Sequence, residues 1–261
     1  MSDVTTSTVT RPVPRDPAPA LWLVTGTCWA VLVLLLLTSG VNLASHDDVT
    51  EKSTLPVPVR LLAFTGAWAV MIGAMMLPST IPMARMFVAV TARQARPARA
   101  RAAFATSYLV VWLGFALVAL AGDTRLHWLV DRWPWLQQRE PLILAATLVF
   151  AGAYQLSPLK DACLRACRTP FSVLGQHYRT GAAGGWRVGF AHALNCLGCC
   201  WALMLVMFAT GVGSLLWMLG LAAVMATEKA TRVGARLVVP VGVALMVAGA
   251  VLAVPILLGT P

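Results

Sequence analysis

Long runs of apolar residues, broken by short segments rich in Arg, Pro and Gly, set the plan of this chain. A helix crosses the hydrocarbon core with about 20 apolar residues, within a range of roughly 17 to 25. By that measure the runs at 21–41, 61–83, 102–121, 142–155, 188–209, 214–231 and 237–258 predict about seven transmembrane helices. The fourth run is short unless it begins inside the preceding loop. The fold class is therefore all-α, a polytopic transmembrane helix bundle, with residues 21–258 forming a single membrane domain. Residues 1–20, with Thr, Pro and Arg and no apolar period, read as a disordered cytoplasmic tail. They lack the apolar core and small-residue cleavage site of a signal peptide.

Composition agrees with this plan. The chain is 59% hydrophobic and 11% charged, whereas a soluble domain carries about 25% charged residues. The net charge of +10 would suggest nucleic acid as a partner in a soluble protein. Here the positive-inside rule accounts for it, so the lipid bilayer is the partner and nucleic acid is not. With the N-terminus inside, seven helices leave only Lys52, Arg60, Arg125, Arg132 and Arg139 of the basic residues outside. Asp47, Asp48, Glu51, Asp123, Asp131 and Glu140 outweigh them there. The predicted topology is N-in/C-out.

Three motifs carry candidate chemistry. The stretch from Gly189 to Met207 is apolar enough to span, yet His192, Cys196, Cys199, Cys200 and Met207 fall within an arc of about 100°, with Met204 at its edge. Sulfur at this density suits a soft metal ion or redox chemistry, and a lipid-facing surface has no use for it. His192 alone fits an interior hydrogen-bonded histidine as well as a ligand. In the second run, Met71 and Met75 lie one turn apart on the face that Pro78 and Ser79 continue. Pro78 cannot donate to the Ala74 carbonyl, so a kink is expected and that oxygen needs another partner. Methionine serves both as a plastic filler and as a thioether ligand. The third motif is a short helix bracketed by Pro158 and Pro170 at the cytoplasmic boundary. Leu159, Cys163 and Cys167 share its apolar side, while Lys160, Arg165 and Arg168 form a basic membrane-surface side. Its cysteines at i and i+4 can turn two sulfurs to one ion or simply fill space.

These segments, taken together, resemble a family. Trp68-x₂-Met71-x₃-Met75-Met76-Leu-Pro78, then Tyr154 to Cys167, then Cys196-Leu-Gly-Cys199-Cys200-Trp201-x₂-Met204 and Glu228-Lys229, are similar to the bacterial predicted metal-binding integral membrane proteins grouped as domain of unknown function 2182. The resemblance covers residues 61–232. It implies a multi-pass protein of the bacterial cytoplasmic (inner) membrane that binds a metal and has no established reaction.

The topology places the second-span methionines, the Cys196–Cys200 group, Cys163, Cys167 and Glu228 within roughly 15 Å of one depth, on the cytoplasmic side. Thiolates and thioethers without carboxylates select Cu(I), with Zn(II) second, because zinc takes closed sets of Cys and His and does not use methionine. Three functions follow. The first is a membrane protein that holds or passes Cu(I) in metal homeostasis, with a metal donor or acceptor protein as partner. The second is a thiol-disulfide oxidoreductase using Cys196, Cys199 and Cys200, and the third is a non-catalytic scaffold or assembly subunit. The metal-ligand candidates are Cys196, Cys199, Cys200, Met75, Met71, Met204, Cys163, Cys167 and His192. No nucleotide loop, Ser-His-Asp set or bis-histidine haem pattern marks a catalytic centre.

Overall fold

The structure, a computed structural model, describes residues 15–39, 56–210, 215–231 and 233–258. Most of the N-terminal tail with Arg11, the loop bearing Asp47, Asp48, Glu51 and Lys52, and Arg232 lie outside the described residues. Eleven helices and no strand occur among the described residues. They are α1 (Ala18–Ser39), α2 (Val57–Met75), α3 (Leu77–Thr91), α4 (Pro97–Arg132), α5 (Pro134–Gln137), α6 (Pro141–Gln155), α7 (Pro158–Arg168), α8 (Pro170–His177), α9 (Gly181–Ala209), α10 (Leu215–Ala230) and α11 (Gly234–Leu258). The chain is thus an all-α bundle.

Proline sets many of these boundaries. Helices α4 to α8 each begin on one (Pro97, Pro134, Pro141, Pro158 and Pro170), where a missing N–H costs nothing and the fixed φ suits the first turn. The Ser157 hydroxyl caps α7, accepting from the Lys160 N–H at 3.2 Å.

Five helices, α1, α2, α4, α9 and α11, are long and apolar enough to cross a membrane. The bent pair α6 and α7, at 62°, makes a sixth if it is one broken span. About seven runs were expected; among the described residues α6 and α10 comprise 15 and 16 residues, and α10 begins directly after residues 211–214, which lie outside the described ones.

The second run is two helices rather than one kinked helix. α2 stops at Met75 and α3 starts at Leu77, with Met76 between them at φ −100° and ψ −26°. The Ala74 carbonyl, deprived of its donor by Pro78, accepts from Trp29 Nε1 of α1 at 3.0 Å. The Ser79 hydroxyl donates to the Met76 carbonyl at 2.8 Å. Backbone groups released by the break are therefore re-satisfied within the protein, as a low-dielectric interior requires.

Helix α1 begins within the last residues assigned to the tail. Asp16 accepts from the Ala18 N–H at 3.0 Å, which starts α1, and pairs with Arg85 of α3 at 2.5 Å. Bonds from the Arg85 guanidinium and the Ala18 N–H pull the Asp16 carboxyl from its ordinary 3.8 to about 2.

Helix α9 is the central element, packing on α4, α6, α7 and α8. Its approach to α4 depends on Gly189: a Cβ there would lie 2.9 Å from the Phe104 Cα and run into the Ser107 hydroxyl. Small residues permit such contacts where lipid offers no hydrophobic force between helices.

Candidate metal centre

Close contact between α9 and α4, together with the break at Met76, brings sulfur from three places into one buried core. That core contains Met71, Met75, Met76, Cys196, Cys199, Cys200, Met204 and Met207, with Cys163 and Cys167 packed against it. Every one of the first eight is at most 1% exposed, so no solvent reaches them directly. Trp68 and Trp112, fully buried, belong to the same core.

The sulfur contacts are specific. Cys200 Sγ lies 3.9 Å from Met76 Sδ, and Cys199 Sγ lies 3.9 Å from Cys167 Sγ. The Cys199 and Cys200 thiols both point back to the Cys196 carbonyl, at 3.1 and 2.9 Å. Cys196 Sγ meets the Tyr108 hydroxyl of α4 at 3.3 Å. Cys163 Sγ lies against Gly198, where a Cβ would stand 2.6 Å from it. The Tyr154 hydroxyl donates to the Gly198 carbonyl at 2.5 Å and fixes α6 to the same turn. All six cysteines are free.

Two lysines are buried, and for Lys160 this departs from the sequence expectation. Lys160, assigned to the membrane-surface side of α7, is fully buried. It donates to Glu228 at 2.6 Å and to Gln155 at 2.5 Å, and Gln155 in turn donates to Glu228. Burial on both partners makes this an interior ion pair that ties α7 to α10. Lys229, the next residue along α10, enters the sulfur group. Its Nζ stands 3.2 Å from Cys196 Sγ, 3.6 Å from Cys200 Sγ and 3.6 Å from Met76 Sδ. Glu228 and Lys229 therefore serve two different neighbourhoods.

His192 is 2% exposed and stacks on Phe104 and Tyr108, with centroids 6.2 and 5.8 Å away. Neither ring nitrogen has a hydrogen-bond partner among the described residues. Met71, Met75 and Met204 lie in the common core, and the Met76 thioether contacts the Cys200 thiol. Among the described residues no three His, Cys, Asp or Glu side chains converge closely enough to hold a metal. Any ion bound here needs methionine sulfur or a small closure of the thiols.

A cavity of about 1490 Å³ runs between α4, α6 and α9, from Asp123, His127 and Glu140 at one end to Cys163 and Gly198 at the other. Cys163 therefore borders both the cavity and the turn that carries the buried cysteines.

The fold and this centre define a class: a membrane-type helical bundle with a sulfur-lined interior. A family model described as PpoB2, copper chaperone, matches residues 65–252, and the chain belongs to that family. The match includes every sulfur named above in or against the buried core and runs past the motif-bearing core into α11. No curated protein and no solved structure matches the chain.

Proposed function

We propose that this protein is a chaperone of the bacterial inner membrane that receives Cu(I) and hands it on through its Cys/Met interior, near the cytoplasmic side in the N-in/C-out orientation. The ion is cargo, and the partner is a protein that donates or accepts it. One observation carries the reading: Cys196 and Cys200 of α9 and Met76 from the α2–α3 break gather three sulfurs within 3.6 Å of the Lys229 Nζ. Thiolate and thioether together suit Cu(I), which accepts low coordination numbers, and they suit zinc poorly.

A chaperone must also let its ion go, and exchange between neighbouring soft ligands provides a route. Cys163 and Cys167 are half-buried, whereas Cys199, Cys196 and Cys200 are almost fully enclosed. A path from Cys163 at the cavity, through the Cys167 and Cys199 pair, to Cys200 and Met76 moves the ion inward between sulfurs in stages. His192, with both nitrogens unpartnered, offers a further ligand one turn below Cys196. Met71, Met75 and Met204 shield the ion from water and give the thiols room to close.

Purified protein in mild detergent is expected to bind about one Cu(I) per chain. Cys196→Ser and Cys200→Ser should each lower the occupancy. Full stoichiometry in the Cys196→Ser, Cys199→Ser, Cys200→Ser triple variant would end the proposal.

A further inference from the structure

We infer that Lys229 is a specificity-determining residue, a fixed positive charge that makes the sulfur chamber fit a monovalent ion and reject a divalent one. The inference rests on the copper reading above and adds to it the reason for the ion's charge. Three features support it. Lys229 Nζ lies 3.2 to 3.6 Å from Cys196, Cys200 and Met76. The other buried charges described near the chamber, Lys160 and Glu228, cancel one another across a 2.6 Å contact. The chamber itself is closed to solvent, so an unbalanced charge has no water to relieve it.

The charge balance is simple. With no ion bound, one thiolate balances the ammonium; when Cys196 and Cys200 bind an ion, the remaining thiol gives up its proton to the medium and two thiolates remain. A monovalent ion between them leaves a unit negative charge, which the Lys229 ammonium neutralises. A divalent ion leaves the two-thiolate complex neutral and the ammonium without a counter-charge. Methionine sulfur is uncharged and alters neither total. Softness alone already favours copper over zinc; charge matching acts in addition to it, and it resides in one side chain outside the ligand set.

Competition between Ag(I), a redox-inert monovalent probe, and Zn(II) tests this on the full chain in detergent. The Ag(I)-over-Zn(II) affinity ratio of Lys229→Met is expected to fall at least about tenfold, since a partly screened unit charge a few ångström away is worth more than one decade. Lys229→Arg keeps the charge and should keep the ratio. Lys229→Gln is neutral but retains an N–H donor for the sulfurs, so it carries the test if the Met variant does not fold. A ratio unchanged in both neutral variants, with binding still dependent on Cys196 and Cys200, overturns the inference and leaves the copper reading in place. Wild-type Zn(II) uptake as tight as Ag(I) uptake also overturns it. Failure of the wild type to bind Ag(I) through these cysteines removes the copper reading instead.

Discussion

Removing one partner of the Lys160–Glu228 pair should destabilise this bundle more than removing both. The two side chains are 0% and 2% exposed, their charged atoms are 2.6 Å apart, and Gln155 bonds to each. In such a place Coulomb attraction does little more than offset desolvation, whereas a lone buried charge costs about 3–5 kcal/mol. Lys160→Met is therefore expected to lose about 3–5 kcal/mol, because Glu228 remains enclosed without a cation. The double variant Lys160→Met, Glu228→Leu removes both charges, and its stability should return to wild type or exceed it by up to about 4 kcal/mol. Denaturant titration in mixed micelles, followed by the fluorescence of the chain's 10 tryptophans, gives both numbers. A harmless Lys160→Met, or a double variant showing the sum of the single losses, would refute the reasoning. Either result would mean that the pair is solvated or not formed.

Three further outcomes are expected. Trp29→Phe deletes the donor that serves the Ala74 carbonyl and should cost about 1–3 kcal/mol in the same titration; Pro78→Ala, by restoring an N–H at position 78, should recover part of that loss. Asp16 has its folded-state pKa lowered to about 2 by Arg85 and the Ala18 N–H, so its contribution is full above the ordinary 3.8 and disappears as pH falls through about 2. Carboxyl NMR should show the Asp16 midpoint rising towards about 3.9 in Arg85→Met, and an unmoved midpoint would mean the contact is absent in solution. Gly198→Ala places a methyl group 2.6 Å from Cys163 Sγ and should slow Ag(I) loading measured by stopped flow while leaving final occupancy intact; unchanged loading would take Cys163 off the route.

The helices and the sulfur stripe were legible because both depend on local period. Apolar runs mark α1, α2, α4, α9 and α11, and Cys196, Cys199 and Cys200 share a face at i+3 and i+4 spacing. Met76 was not singled out as a ligand because a continuous helix turns it about 100° away from Met75. In the folded chain Met76 Sδ nevertheless lies 3.9 Å from Cys200 Sγ. Leu77-Pro78 was the available signal, read as a kink when it ends one helix and starts another. The lysines were harder. Charges at the ends of apolar runs ordinarily snorkel to headgroups, and the contact of Lys160 with Glu228 spans 68 residues of sequence. Tyr108 was missed for a similar reason, as a lone tyrosine in the third run has no periodic signature, and only the packing of α4 on α9 brings its hydroxyl to Cys196.

X-ray absorption at the copper edge of protein loaded with one equivalent of Cu(I) addresses the central claim most directly. A shell dominated by sulfur, which loses occupancy or acquires lighter scatterers in Cys196→Ser and Cys200→Ser, is the result predicted by ligation inside the chamber. A nitrogen or oxygen shell that both variants leave unaltered would place the ion elsewhere and contradict the account.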